Sequence, residues 1–302
     1  MTTFAVGRVS LRGPVMTAAG TAGTGTELAA FGRLDELGAV VVKSLAPYPW
    51  EGNPSPRLAG VPGGMVNAVG LSGPGIPHWI ERDLPLLERE GATVVASVWG
   101  RSADEYEDAA DLLAAVSARI AAVEVNLSCP NLSSGHGTSH AMFAHDPAMS
   151  AEIVRRMARA GLPVWAKLSP NTDRLVEVAR AVAGEGADAV TLVNTVRGRA
   201  VDPRTGAALL GAGSGGVSGR AIHPVALRAV AEVRAALPDL AIVGAGGVVD
   251  ADSALAMLRT GADAVQVGTA TFADPRAPWR IQRGVLRALH RHPLGARGRN
   301  RA

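Results

Sequence analysis

The segment Pro163-Val-Trp-Ala-Lys-Leu-Ser-Pro-Asn-Thr-Asp-Arg-Leu-Val-Glu-Val-Ala-Arg-Ala-Val-Ala-Gly184 shows the unit from which this chain is built. A short apolar run, 163–167, is followed by a polar loop and then by residues 173–184, where apolar side chains recur three and four positions apart. That spacing is typical of an amphipathic helix, and a continuous apolar run is typical of a strand buried on both faces. The segment therefore predicts a strand, a loop and a helix that packs on a parallel sheet.

The same unit recurs along the whole sequence. Eight apolar runs end near Ala19, Lys43, Ser97, Asn126, Lys167, Asn194, Ala245 and Gly268. Helical spacing also follows at 148–160, 224–237 and 252–260. Eight alternations of strand and helix predict an α/β fold, the (β/α)8 or TIM barrel, which usually takes about 250 residues in one domain. A doubly wound open sheet is the alternative, but Gly20-Thr-Ala-Gly-Thr-Gly25 lacks the glycine spacing of a dinucleotide-binding turn.

Three long connections enlarge the predicted barrel, at 44–78, 129–146 and 196–222. Each follows the carboxyl end of a strand, which is the face where barrel enzymes build their sites. We expect residues 1–282 to form the catalytic barrel. Residues 283–302 contain six arginines and no acidic residue, and we expect them to form a helix end and a basic, solvated tail.

Composition excludes several classes of protein. No apolar run approaches the roughly 20 residues that a membrane-spanning helix needs. The first residues, Met1-Thr-Thr-Phe-Ala-Val-Gly-Arg8, lack a signal-peptide pattern, and the single cysteine excludes an internal disulfide, so we expect a cytoplasmic protein. One cysteine also excludes an iron–sulfur cluster held by this chain alone. With 4% aromatic residues, a platform for stacking nucleic-acid bases is not expected.

Three scarce and reactive side chains lie at or just after strand ends. Lys43 and Lys167 are the only lysines among 30 basic residues, and Cys129 is the only cysteine. Where an arginine-rich chain keeps lysine, the site needs a compact ammonium rather than a guanidinium fork. Lys167 could form a Schiff base or act as a fixed cation beside developing charge. Cys129 could be a nucleophile or a general base, and we favour the base because no Cys–His–Asn arrangement is evident.

Glycine pairs follow the seventh and eighth predicted strands. Gly246-Gly247 and Gly268-Thr269 occupy the usual barrel position for a phosphate, and the segment ending at Gly219 could supply a third side. Asn126 and Asn131 carry amides that both donate and accept hydrogen bonds, which suits a planar heterocycle or a flavin ring.

A histidine-rich loop offers a metal site as an alternative. His136, His140 and His145 lie close together, but no carboxylate or thiol stands at ligand spacing from them. We therefore predict no metal.

Taken together, these motifs resemble the FMN-containing catalytic subunit of class 1 dihydroorotate dehydrogenases, most closely the 1B type. The resemblance covers about residues 14–281 and rests on motifs that occur in the family's order. They are Lys43-Ser44, Glu51-Gly-Asn-Pro-Ser-Pro-Arg57, Asn67-Ala-Val-Gly-Leu71, Asn126-Leu-Ser-Cys-Pro-Asn131, Lys167-Leu-Ser-Pro-Asn171, Asn194-Thr195, Gly215-Gly-Val-Ser-Gly219, Gly246-Gly247 and Gly268-Thr-Ala-Thr-Phe-Ala273.

The resemblance implies which residues bind each ligand. FMN would contact Thr21, Lys43, Ser44, Ser97, Asn126, Lys167, Val193, Gly219, Gly246, Gly247, Gly268 and Thr269. Dihydroorotate or orotate would contact Lys43, Asn67, Ala68, Val69, Gly70, Leu71, Asn126, Asn131, Asn194 and Thr195.

It also implies a reaction and partners, with Cys129, Lys43 and Lys167 as the catalytic residues. Cys129 would take the proton from C5 of dihydroorotate while hydride leaves C6 for flavin N5, in pyrimidine biosynthesis. Lys167 would stabilise charge on the reduced flavin. We expect a homodimer. A 1B-type enzyme would also pass electrons to NAD through a second subunit with FAD and a 2Fe–2S cluster, in a heterotetramer, whereas a 1A-type enzyme would use fumarate.

Some positions depart from the family pattern. Ser72-Gly-Pro-Gly75 replaces the usual Gln-Asn-Pro-Gly, Ser97 replaces an asparagine, and the loop 132–146 is longer than usual. These departures keep open an FMN oxidoreductase of a different pyrimidine, similar to dihydropyrimidine dehydrogenase. Two other classes remain as alternatives: a flavin-free lyase that uses Lys167, and a barrel that binds a ligand without catalysis.

Overall fold

The computed structural model describes residues 4–128 and 143–294. The predictions for Cys129, Asn131, His136 and His140 fall outside these residues. The described strands are β1 (Phe4–Val6), β2 (Val9–Leu11), β3 (Val15–Thr17), β4 (Val40–Val41), β5 (Leu58–Val61), β6 (Gly64–Asn67), β7 (Val94–Val98), β8 (Ala122–Asn126), β9 (Val164–Lys167), β10 (Ala189–Leu192), β11 (Val196–Gly198), β12 (Gly215–Ser218), β13 (Ala241–Ala245) and β14 (Ala264–Val267). The described α-helices are α1 (Ile76–Arg82), α2 (Leu84–Arg89), α3 (Ala103–Ala114), α4 (Pro147–Met157), α5 (Leu175–Gly184), α6 (His223–Ala236), α7 (Ala251–Thr260), α8 (Ala270–Ala273) and α9 (Ala277–Arg291).

Eight of these strands form one parallel sheet in the order β3-β14-β13-β10-β9-β8-β7-β4. The two ends of the sheet meet, because Met16 and Ala39 form a parallel bridge and Thr17 N–H donates to the Ala39 carbonyl at 3.2 Å. Helices alternate with the strands, so the prediction of a (β/α)8 barrel is confirmed.

The barrel core follows from the apolar runs. All five residues of β7, β8 and β13 are buried, as a strand covered on both faces requires. α5 buries Leu175, Val178, Ala179 and Val182, which recur three and four positions apart and form one helical face. That face belongs to the same buried apolar cluster as the barrel strands.

Two of the predicted long connections meet in a second sheet, which the sequence did not predict. It has four antiparallel strands in the order β11-β12-β6-β5, taken from 44–78 and 196–222. Val66 pairs with Ala59 on one side and with Val217 on the other. The sheet covers part of the carboxyl face of the barrel and thereby walls the cavity described below.

The opposite face of the barrel is closed by the β1–β2 hairpin. Phe4, Val6, Val9 and Leu11 are buried, while the Arg8 guanidinium pairs with Asp188, directly before β10. The hairpin thereby covers the amino ends of strands in the barrel, on the side away from the cleft described below.

The last helix crosses the predicted boundary at residue 282. α9 runs through Arg291 and buries Val285 and Leu289 against the core. Residues 283–291 therefore belong to a packed helix. Within residues 4–128 and 143–294, no helix is long and apolar enough to span a bilayer.

Candidate active site

A large cleft opens at the carboxyl ends of the barrel strands and contains about 1100 Å³, counting the part open to solvent. It brings together most of the residues that the sequence analysis assigned to ligands. Of the residues predicted to contact FMN, those that line the cleft are Thr21, Lys43, Ser44, Asn126, Lys167, Val193, Gly219, Gly246, Gly247, Gly268 and Thr269. Of the further residues predicted to contact the substrate, those that line it are Asn67, Val69, Gly70, Leu71, Asn194 and Thr195. The predicted residues Ser97 and Ala68 are not among the lining residues.

Lys167 ends β9 on the floor of this cleft and is 5% exposed. Its ammonium donates to Glu124 Oε1 and to Gln266 Oε1, each at 3.3 Å. The other Glu124 oxygen accepts from Thr191 Oγ1 at 2.9 Å and from Gln266 Nε2 at 2.5 Å. An ammonium held against a buried carboxylate is a fixed cation, whereas a Schiff-base former must offer a neutral amine, so this arrangement favours the fixed cation.

Lys43 lies two residues after β4 and lines the same cleft. Its backbone N–H donates to the Gly23 carbonyl at 2.8 Å, which ties the strand end to the loop after β3. Its side chain passes close to Gly20, where an added Cβ would lie 3.7 Å from Lys43 Cδ. The two lysines of the chain therefore meet in one cavity although 124 residues separate them in sequence.

Between the lysines runs a row of hydroxyl and amide side chains. Ser97 Oγ and Ser44 Oγ lie 2.8 Å apart, and Asn126 Nδ2 donates to Ser44 Oγ at 3.2 Å. Asn194 Nδ2 donates to Asn126 Oδ1 at 3.2 Å and to Ser128 Oγ at 2.9 Å. Ser97 thus acts on the cleft through Ser44, and the row presents fixed donors and acceptors to a flat polar ligand.

The segment 67–71 forms one wall and is braced by the segment 51–57. Asn53 N–H donates to the Val69 carbonyl and Asn53 Nδ2 to the Ala68 carbonyl, both at 3.1 Å. Trp50 Nε1 donates to the Gly70 carbonyl at 2.9 Å. These contacts hold the wall in place, including Leu71 at a φ of +61°.

Behind this wall lies an aromatic cluster of Tyr48, Trp50 and Trp99, whose rings meet edge to face at 6.0–6.4 Å. The Arg101 guanidinium lies 5.3 Å from the Tyr48 and Trp50 ring centres. Burial raises the pKa of Tyr48 to about 12, and its hydrogen bond to Glu105 acts in the same direction. The cluster therefore remains uncharged and packed at neutral pH.

Glycine-rich turns form the other end of the cleft. Gly219, Gly246 and Gly247 have φ values of +98°, +121° and +70°, which only glycine adopts without strain. Among the described residues, none accepts a hydrogen bond from the backbone N–H groups of Gly247, Val248, Gly268 and Thr269. Converging backbone donors of this kind are suited to an anion.

An ion pair joins two of these turns. Arg220 donates to Asp250 Oδ2 at 2.7 Å, and Asp250 also accepts from Ser253 N–H at 2.8 Å in the capping box of α7. Burial would raise the pKa of Asp250, but the Ser253 hydrogen bonds and Arg220 outweigh it and hold that pKa at about 2. The carboxylate is therefore charged at neutral pH and fixes the loop after β13.

Comparison with known proteins agrees with this geometry. A model of the family "Dihydroorotate dehydrogenase" matches residues 1–289. The chain belongs to the dihydroorotate dehydrogenase family.

Similar curated proteins carry the name dihydroorotate dehydrogenase B (NAD(+)), catalytic subunit. The one from Geobacter sp. (strain M21) is 42% identical over 291 residues, covering 96% of this chain and 93% of that protein. Those from Alkaliphilus metalliredigens and Geobacillus kaustophilus are each 40% identical, over 287 and 268 residues, and cover 95% and 88% of this chain and 93% and 84% of those proteins. The resemblance to the type B catalytic subunit is confirmed.

The sequence analysis did not predict the partners of Lys167. Glu124 is wholly buried and Gln266 is 1% exposed, and both contact its ammonium. Each interrupts an apolar strand run, in Val123-Glu-Val125 and Val265-Gln-Val267. A polar residue within such a run is the signal that could have identified them, because a buried polar group needs a partner.

Of the three histidines considered as metal ligands, only His145 lies among the described residues. Burial lowers the pKa of His145, and nearby Arg197 lowers it further. Within the ranges that the structure describes, no three His, Cys, Asp or Glu side chains come together as metal ligands.

Proposed function

We propose that this chain is the catalytic subunit of a B-type dihydroorotate dehydrogenase, which oxidises (S)-dihydroorotate to orotate with FMN as its resident cofactor. One observation supports this most strongly. One cleft is lined by both lysines, by the glycine-rich turns and by Ser44, Asn126 and Asn194, in a chain of this family.

The chemistry of the lining fits a flavin mononucleotide. The backbone N–H groups of Gly247, Val248, Gly268 and Thr269 would hold the phosphate, as donors without protein acceptors among the described residues. Val193 and Ala245 offer apolar surface to a ring, while Asn126 and Lys167 offer polar contacts at its edge.

When bound, the flavin would supply the hydride acceptor of the reaction. The residues of the chain would do the rest. Asn67, Asn126 and Asn194 would orient the pyrimidine through its amide edges, with Lys43 beside its charged group. The braced wall 67–71 would cover the substrate and exclude water, which strengthens each polar contact.

By the family resemblance, Cys129 would accept the proton from C5 of the substrate as general base. Lys167 would place its ammonium where negative charge develops.

We also propose that electrons leave through a second subunit. The similar proteins are named as NAD(+) enzymes and as catalytic subunits. This chain has one cysteine and so lacks the thiolates for its own iron–sulfur cluster. A heterotetramer of two such chains and two subunits with FAD and a 2Fe–2S cluster fits both facts.

Absorption spectroscopy tests the cofactor and the substrate together. The purified chain should show a flavin spectrum that bleaches when dihydroorotate is added without oxygen. Dihydrouracil is the matched control, because it lacks the carboxylate, and it should bleach the spectrum far more slowly. If dihydrouracil bleached the spectrum faster, the substrate would be a pyrimidine other than dihydroorotate. A colourless protein that binds no added FMN would contradict the proposal.

A further inference from the structure

We propose that Glu124 is a positioning residue that tethers the Lys167 ammonium and offsets its charge at the cavity floor. This inference deepens the proposed function. Its test by the flavin midpoint potential rests on that function, whereas its test by urea unfolding does not. Glu124 lies in the middle of β8, one strand away from the lysine, and its side chain is wholly buried.

The contacts of the carboxylate fix the lysine from two sides. Glu124 Oε1 lies 3.3 Å from Lys167 Nζ, while Oε2 accepts from Thr191 and Gln266. Gln266 closes the ring by accepting from the same ammonium at 3.3 Å. Strands β8, β9, β10 and β14 each contribute one member, so the position of Nζ is set by the barrel rather than by the flexible lysine stem.

Among the described residues, Glu124 and Gln266 take two of the three ammonium N–H groups, which leaves one to face a ligand. This arrangement also places a full negative charge beside a nearly buried positive one. An isolated buried charge is very costly, and a hydrogen-bonded pair is tolerated. A ligand in the cleft therefore meets a directed N–H group of a cation whose field the carboxylate weakens without abolishing it.

The Glu124→Gln substitution keeps the shape of the side chain and removes its charge. The Lys167 field should then act unopposed on a bound flavin, so the flavin midpoint potential should become more positive. A tenfold shift toward the reduced form corresponds to about 30 mV for a two-electron couple.

The matched control is Asp263→Asn, which removes another largely buried carboxylate, directly before β14. Asp263 pairs with Arg234 at 3.0 Å and does not line the cleft. The flavin midpoint potential of Asp263→Asn should equal that of the unaltered protein. A shift in Glu124→Gln no larger than in this control, or one toward more negative potential, would overturn the proposal.

Urea unfolding of the full chain without added flavin tests the same pairing independently. Glu124→Gln and Lys167→Met should each lower the unfolding midpoint, because each leaves one buried charge unpaired. The double variant has neither charge and should be more stable than Glu124→Gln alone. Additive losses in the double variant would refute the pairing. A chain that binds no flavin would contradict the proposed function while leaving this unfolding test in force.

Discussion

Replacement of Gly247 by alanine tests the glycine-rich end of the cleft. This residue lies between β13 and α7 with a φ of +70°. An added Cβ would lie 2.6 Å from His223 Cβ and 2.9 Å from both the backbone nitrogen and Cα of His223, at the start of α6. Backbone atoms cannot rotate away, so the loop or the helix must move.

Two costs add in this variant. A left-handed backbone costs a residue with a Cβ about 1–2 kcal/mol. Overpacking against a fixed wall costs typically about 1–3 kcal/mol. We therefore expect the free energy of unfolding of Gly247→Ala to fall by about 2–5 kcal/mol. Gly161→Ala is the matched control, because Gly161 has a φ of +68° and no atom within 4 Å of an added Cβ. It should lose only about 1–2 kcal/mol.

Urea unfolding without FMN measures both losses, and a fluorescence titration then measures FMN affinity. Movement of the loop shifts the N–H groups of Gly247 and Val248, so FMN should bind about tenfold more weakly to Gly247→Ala, a cost of about 1.4 kcal/mol. Gly161→Ala should bind FMN normally. Equal stability losses together with unchanged FMN affinity in both variants would refute the reasoning.

Three further predictions concern the wall 67–71, the capping box of α7 and the proposed base. Trp50→Phe keeps the aromatic contacts but loses the hydrogen bond to the Gly70 carbonyl, which contributes about 0.5–1.5 kcal/mol. The KM for dihydroorotate should therefore rise about 2–10-fold, while the flavin spectrum stays unchanged. Asp250 has a lowered pKa, so its stabilisation is full above about pH 4 and is lost as pH falls toward 2. Asp250→Asn should remove this part of the pH dependence, measured as the free energy of unfolding at a series of pH values. The stability lost should be only about 1 kcal/mol, because the Arg220–Asp250 pair is exposed. Cys129→Ser should slow flavin bleaching by dihydroorotate about 100-fold or more at neutral pH, since a hydroxyl is a far weaker base than a thiolate. The rate should recover at high pH, where the hydroxyl ionises, and an unchanged rate at neutral pH would exclude Cys129 as the base.

The local features of this protein were determined by its sequence alone. Short continuous apolar runs are typical of strands buried on both faces, and eight of them alternating with amphipathic helices predict a closed parallel barrel. Because parallel strands end at one face, the side chains after each run could be assigned to one site before any coordinate was known. The scarcity of lysine, the glycine pairs and the order of the motifs indicated one ligand site and the family, and the family is confirmed.

Tertiary structure alone decided how those side chains act on one another. The contact of Glu124 with Lys167 depends on the register between β8 and β9, which pairs Asn126 with Lys167. The contact of Gln266 with the same ammonium depends on barrel closure and joins strands 99 residues apart. The four-stranded sheet over the cleft escaped sequence reasoning because its strands are short and glycine-rich, with little alternation. Closure and the pairing of distant loops are set by the packing of the whole chain, and strands buried on both faces carry no alternation from which their register could be read.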